Sequence, residues 1–266
     1  MCFRIMHFAA TSRIMLAGVA LALIAAPALA ADPEAFLAGT TRACVECDLS
    51  ARDLKERDFK RAKLDRAKLA NADLSGTSLF RATLTRADLS GAKLKEANLN
   101  LVDGKWADFS GADLTDALLY EADLASANLA QANLTGARLA RARLNQANLE
   151  GAKLARADLR GARLAGARLK GADMRAVKLD GQNLRGMELA GIDFSMGDMV
   201  EADLTGADLR GANLAGVDLF GAKLNGADLR GANFEGANLA NAILTDAQTE
   251  GAKFDAAIMP DGKRAE

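Results

Sequence analysis

From Leu49 to Met259 a large apolar residue returns at every fifth position, through 43 consecutive units and without a slip of frame. The position is Leu in 33 units, Phe in five and Met in three, and only Gly104 and Thr249 break it. Two residues earlier, 32 of the 43 units carry Ala. A period of five fits neither the 3.6 of an α-helix nor the 2 of a strand, either of which would carry the Leu positions round every face and leave most of them in water. The backbone therefore has to turn once per unit. If each unit forms one side of a coil, the Ala and Leu positions both point inward and the other three face solvent. Ala must be small because it shares a narrow interior with Leu. Stacked coils then pair their backbones between layers, as in other solenoids, and each layer buries its apolar side only against its neighbours.

The units read Ala-(Asp/Asn/Lys/Arg)-Leu-x-x, as in Ala72-Asp73-Leu74-Ser75-Gly76 and Ala127-Asn128-Leu129-Ala130-Gln131. Over residues 47 to 259 this pattern closely resembles the pentapeptide-repeat family. The resemblance implies an all-β fold, a right-handed quadrilateral β-helix with four units per coil. That makes a solenoid of about eleven coils, roughly 50 Å long at about 4.8 Å per layer. Composition agrees with a core of small and aliphatic side chains, since half of the chain is apolar and only 5% aromatic.

Residues 1–30 differ from all that follows. Arg4 and Arg13 give a basic start, Ile14 to Ala26 an apolar run, and Ala28-Leu29-Ala30 a small-residue cleavage site. The run falls short of the roughly 20 residues that span a bilayer, so it reads as a signal peptide cut after Ala30. The expected location is outside the cytoplasm, in a bacterial periplasm, with no membrane span in the mature chain. Ala31 follows the cut, not Cys, so a lipid-anchored form is not supported. Residues 31–46 read as an N-terminal cap, because open ends of a β-helix need covering. In Asp32-Pro33-Glu34-Ala35-Phe36-Leu37-Ala38-Gly39, Asp caps a short helix, Pro sits in its first turn and Gly stops it. Residues 260–266, after Pro260-Asp261-Gly262, form a charged C-terminal tail.

Departures from the repeat are where a site is sought. Cys44 and Cys47 both fall on inward positions of the first coil. In an oxidising compartment they read as a structural disulfide or buried thiol pair; a C-x-x-C redox pair is the alternative. A metal site wants four ligands, and cleavage removes the only histidine, His7, and the third cysteine, Cys2. No metal and no cofactor is expected. In Val102-Asp103-Gly104-Lys105-Trp106 the inward Leu is lost, which reads as a bland local defect; a bulge or inserted turn with Trp106 folded over the gap is the alternative. From residue 177 to 197 the small position reads Val177, Gln182, Met187, Ile192, Gly197, which predicts a wider or kinked coil.

With four units per coil, residues twenty apart stack. One outward column then carries Phe80, Tyr120, Val200 and Phe220, a candidate partner-contact surface. Charge is banded along the chain, with net −5 over residues 101–134, +7 over 135–170 and −6 over 180–208. Arg138, Arg143, Lys153, Arg163 and Arg168 lie on successive sides as a basic belt, a candidate electrostatic docking site or a solvated surface.

The mature chain holds 32 basic and 35 acidic side chains, a balance that does not favour nucleic-acid binding. A filled Leu and Ala interior offers no pocket of convergent catalytic groups, so the chain reads as no enzyme. The leading expectation is an exported structural or protein-interaction module whose partner is a protein. Two alternatives stand beside it. Quinolone-protection members of the family, acidic rods that mimic DNA and bind DNA gyrase, suggest the first; the basic belt and the leader argue against it. A thiol oxidoreductase using Cys44 and Cys47 is the second.

Overall fold

The computed structural model describes residues 32–266; the signal-peptide reading of residues 1–30 lies outside them. Parallel backbone bridges join residues twenty apart, from Ala43 with Lys63 to Asn238 with Ile258, four to every twenty residues except at Arg163 and Arg168. Each unit is thus one side of a four-sided coil, and like positions stack in columns along a rod.

The unit Ala87-Asp88-Leu89-Ser90-Gly91 shows why the repeat has its composition. The Asp88 N–H donates to Ala67 O of the coil below at 3.0 Å. Leu89 and Gly91 donate to Asp108 O and Ser110 O of the coil above, at 2.7 and 2.9 Å. Ala87 N–H closes the preceding turn on Leu84 O at 2.9 Å. The last donor, Ser90 N–H, is taken by the Asp88 side chain at 3.0 Å. Every N–H of the unit is therefore paired, the condition a buried backbone must meet. Asp and Asn recur before the central residue because only a short acceptor there can complete the set.

The corner is a type II turn, closed by Ala92 N–H on Leu89 O at 3.0 Å, with Gly91 at φ +63°. That left-handed position is why Gly is so frequent at the end of the unit. Non-glycine residues hold the same conformation where they replace it, Arg86 at φ +59° and Trp106 at φ +57° among them. The Leu and Ala columns merge into one continuous buried core from Phe36 to Ala242.

Both ends are closed by side chains that the repeat does not specify. Helix α1 (Pro33–Leu37) is capped by Asp32, whose carboxylate accepts from Glu34 N–H at 2.9 Å. It buries Phe36 against Phe59 of the first coil, ring centroids 4.7 Å apart. Arg52 and Arg57 stand on first-coil positions that deeper coils give to Ala. Arg52 pairs with Glu34 at 2.8 Å and Arg57 donates to Leu37 O at 2.6 Å, so both clamp the helix. At the other end the chain folds back, with Met259 N–H on Lys263 O and an antiparallel bridge from Ile258 to Arg264. Thr249 is exposed in the last coil, where a Leu would have no layer above it. No helix among the described residues is long and apolar enough to cross a membrane.

Gly104 corrects one expectation. The ladder runs through it unbroken, with Gly104 N–H on Asp123 O at 2.8 Å and Trp106 N–H on Ala125 O at 3.1 Å. There is no bulge, and Trp106 is 53% exposed instead of covering a gap. Leu124 of the next coil and Phe109 of the next side fill the space, and a Cβ on Gly104 would come within 3.0 Å of Leu124 Cδ2.

Candidate interaction surfaces of the rod

The irregular stretch opens the rod on two of its four sides. Between the coils that hold Leu164 and Leu184, no backbone hydrogen bond joins the side of Leu164 or that of Leu169 to the layer above, and the bridges of Arg163 and Arg168 to that layer are missing. The other two sides stay bridged, with Leu159 N–H on Lys178 O at 3.0 Å and Met174 N–H on Asp193 O at 2.9 Å, but each loses one bond, from Gly161 N–H and from Asp193 N–H. Gln182, Met187 and Ile192 stand over Ala162, Ala167 and Ala172 and prop the layers apart. Val177 and Gly197 do not share in this, since Lys178 and Asp198 beside them bond normally to the coil below. The widening read from the sequence over 177–197 is therefore confined to three units. Gln182 is buried, and its side-chain amide donates to Ala162 O. The core stays closed behind the seam, with Leu164 and Leu169 each only 2% exposed.

Cys44 and Cys47 are both buried in the first coil, joined as a disulfide with Cα atoms 5.3 Å apart. The basic belt spreads over all four sides. Arg143 and Arg163 stack on one side, while Arg138, Lys153 and Arg168 stand on the other three. Arg143 reaches Asp123 at 3.2 Å and Arg168 reaches Glu150 at 3.4 Å; Arg138, Lys153 and Arg163 have no ion-pair partner among the described residues. Lys153 borders an open depression of about 470 Å³ with Thr135, Arg156 and Arg175. Arg168 borders another of about 500 Å³ with Asn128, Gln146 and Asn148. Neither depression holds a nucleophile beside a base, and no metal-binding group of His, Cys, Asp or Glu occurs among the described residues.

Of the expected contact column, Tyr120 and Phe220 are about two-fifths exposed, whereas Phe80 and Val200 are half-buried. Arg81 lies over the Phe80 ring at 5.2 Å and Arg141 donates to the Tyr120 hydroxyl at 3.0 Å. Arg160 and Asp180 stand between the apolar members, so the column is mixed and not an apolar stripe. Burial, and then the neighbouring Asp198 carboxyl, push the Asp180 carboxyl up to about 6. Asp158 goes the other way, held below the usual carboxylate range by the Arg160 guanidinium, which it meets at 2.7 Å. Sequence inspection assigned Asp180 and Asp198 no role and read Gln182 only as a break in the Ala column, because their neighbours lie one coil away.

The family model for pentapeptide repeats matches eight times in succession, from residue 44 to residue 260. The chain belongs to the pentapeptide-repeat family. Members fold as right-handed quadrilateral β-helices, and the twenty-residue ladder is that architecture. Among solved structures, the chain is similar to HetL, a pentapeptide repeat protein involved in heterocyst differentiation regulation in the cyanobacterium Nostoc sp. strain PCC 7120. The two are 32% identical over 86% of this chain and 96% of HetL, with a TM-score of 0.31. It is also similar to QnrB1, a plasmid-mediated fluoroquinolone resistance protein, at 19% identity over 79% of this chain and 90% of that one, TM-score 0.35. A third is Rfr23 from the cyanobacterium Cyanothece 51142, at 27% identity over 52% of this chain and 94% of that one, TM-score 0.20. No curated protein sequence matches the chain significantly.

Proposed function

We propose that this chain is a non-enzymatic, exported pentapeptide-repeat protein that serves as a structural or protein-interaction rod, with a protein as its partner. The filled interior carries the reading. Leu and Ala occupy the inward columns without a cavity for substrate, while the polar groups stand in outward columns on a convex surface. Catalysis needs acid, base or nucleophile converging in a pocket, and the two depressions are open and lined by paired or solvated side chains. Export is supported by the leader pattern of residues 1–30, and the Cys44–Cys47 disulfide suits an oxidising compartment. A reporter fused after Gly39 tests it: activity confined to the cytoplasm overturns export.

Affinity capture from envelope extract, with residues 31–266 as bait, tests the interaction reading. The comparison bait carries Phe80→Glu, Tyr120→Lys and Phe220→Lys. Partners lost with this bait place the contact on that column; an unchanged set of partners discards it.

Gyrase binding is the second reading, favoured by the acidic bands at 101–134 and 180–208. The basic belt between them interrupts any DNA-like run of charge. A supercoiling assay decides, since neither inhibition nor protection of gyrase is expected from residues 31–266.

A further inference from the structure

The side of the rod that carries Tyr120 and Phe220 has an order that repeats backwards. Up its two outward columns, six successive layers read Leu118 and Tyr120, Arg138 and Ala140, Asp158 and Arg160, Lys178 and Asp180, Asp198 and Val200, Asp218 and Phe220. Take a line across this face midway between the Asp158 and Lys178 layers and invert the rod about it. Arg138 then exchanges with Asp198, Asp158 with Lys178, and Arg160 with Asp180. At the corner Arg141 exchanges with Glu201. All four charged exchanges are between opposite signs. Ala140 exchanges with Val200, and the two exposed aromatics, Tyr120 and Phe220, exchange with each other. Leu118 with Asp218 is the one mismatch.

A face with that property is complementary to itself. Two copies set face to face and antiparallel, related by a two-fold axis along that line, place each residue opposite its exchange partner. This is the condition for an isologous interface. The register is selective. Sliding the axis down by half a layer sets Arg138 against Lys178, Asp158 against Asp158 and Arg160 against Arg160. Half a layer up sets Asp158 against Asp198 and Lys178 against Lys178. A parallel arrangement exchanges the two columns within each layer, so it keeps opposite charges only at Asp158 with Arg160 and Lys178 with Asp180, and sets Arg138 against Ala140, Asp198 against Val200 and Phe220 against Asp218.

Three further observations fit. Arg138, Lys178 and Asp198 have no ion-pair partner within the chain among the described residues, so their charges are free to be met from outside. The Asp180 carboxyl, crowded by Asp198, is partly exposed on this face and has only a long contact, 4.0 Å from Oδ2 to Arg160 Nε, within its own chain. A second copy would bring Arg160 and Arg138 to these two carboxylates. The face also lies on a side of the seam where the layers remain bridged, with Leu159 N–H on Lys178 O and Lys178 N–H on Ala157 O, both at 3.0 Å, although the Gly161 N–H makes no bond to the layer above.

We propose that this face is a homodimer interface, and that the partner it fits is a second, antiparallel copy of this chain. The proposal requires neither export nor a foreign partner. Six layers at about 4.8 Å span only about 24 Å, which makes a small contact. Association is therefore reversible and sensitive to salt.

Sedimentation velocity on residues 31–266 over a range of concentration tests it. A concentration-dependent dimer is expected at about 50 mM salt, weakened at about 500 mM. Arg138→Glu alone and Asp198→Arg alone each set like charges opposite one another twice, and each should weaken the dimer by at least about tenfold. An equimolar mixture of the two variants restores it, because every pair in the mixed dimer is again of opposite sign. That recovery also shows both variants to be folded. Tyr120→Cys mixed with Phe220→Cys should form an intermolecular disulfide that neither variant forms alone. A wild-type rod that stays monomeric at low salt overturns the proposal. So does a dimer indifferent to the charge reversals, a mixture that fails to recover, or cross-linking of each cysteine variant with itself.

Discussion

The Gln182 side-chain amide donates to Ala162 O of the coil beneath, the acceptor that Asn183 N–H would use if the two layers were closed. One side chain thus replaces a ladder bond and at the same time holds the ladder open.

Gln182→Leu keeps the bulk that props the seam but leaves the Ala162 carbonyl without a donor. It should cost about 1–3 kcal/mol, the penalty for an unpaired buried carbonyl, measured by urea unfolding. Native-state hydrogen exchange reads the same seam directly. The Leu164 and Leu169 amides, which lack acceptors in the next layer, should exchange faster than those of Leu144 and Leu149 one coil below. Equal protection would mean that the layers close in solution.

Restoring the consensus at Gly104 should harm the protein. Gly104→Leu drives new methyl groups into Leu124 and Phe109, and overpacking of this kind costs about 1–3 kcal/mol. Phe109→Leu added to it makes room and should recover most of the loss. Thermal melting of the single and double variants checks this; a single variant more stable than wild type would show the space to be empty.

Asp180 makes stability depend on pH in the unusual sense for a carboxylate. Its folded value is raised to about 6 from the ordinary 3.8, so the folded chain holds a proton that the unfolded chain has released. Its contribution is complete below pH 3.8 and is lost as pH rises through 6. Asp180→Asn should therefore raise Tm relative to wild type at pH 7 and leave it nearly unchanged at pH 3.5, in dilute protein. Asp228, held at about 2 by the Arg230 guanidinium and by the Arg230 backbone N–H, has the opposite sense and loses stability as pH falls through 2.

Cys44→Ser with Cys47→Ser removes a cross-link from the first coil; it should lower stability by about 2 kcal/mol or less for so short a loop, read as a fall in Tm. No thiol-exchange activity should disappear with it. Measurable exchange by the wild-type protein that the double variant lacks would instead support the oxidoreductase reading.

The local rule was readable from residues alone. A period of five, Leu with Ala two residues before it, and Asp or Gly at their places are all enforced within one unit or its immediate neighbour. What escaped is enforced across twenty residues. Gly104 looks like a defect until Leu124 is placed above it, and Trp106 has no gap to cover. Val177 and Gln182 look alike as breaks of the Ala column, yet only the second opens the ladder. Arg52 and Arg57 look like ordinary charged substitutions, and their purpose follows from a helix folded over the end. The surface order of Tyr120, Arg138, Asp198 and Phe220 is invisible until the columns are aligned.

The twenty-residue ladder also sets the grammar by which such a rod can change length. Deleting twenty residues removes one storey and leaves every later side chain on its original side. Deleting five residues keeps the core pattern intact but turns everything beyond the cut by a quarter revolution. Applied between Tyr120 and Phe220, that smaller deletion would carry the two aromatics to different walls without disturbing a single inward Leu. A surface on this scaffold is a matter of phase, and it can be scrambled by a change to which the fold itself is indifferent.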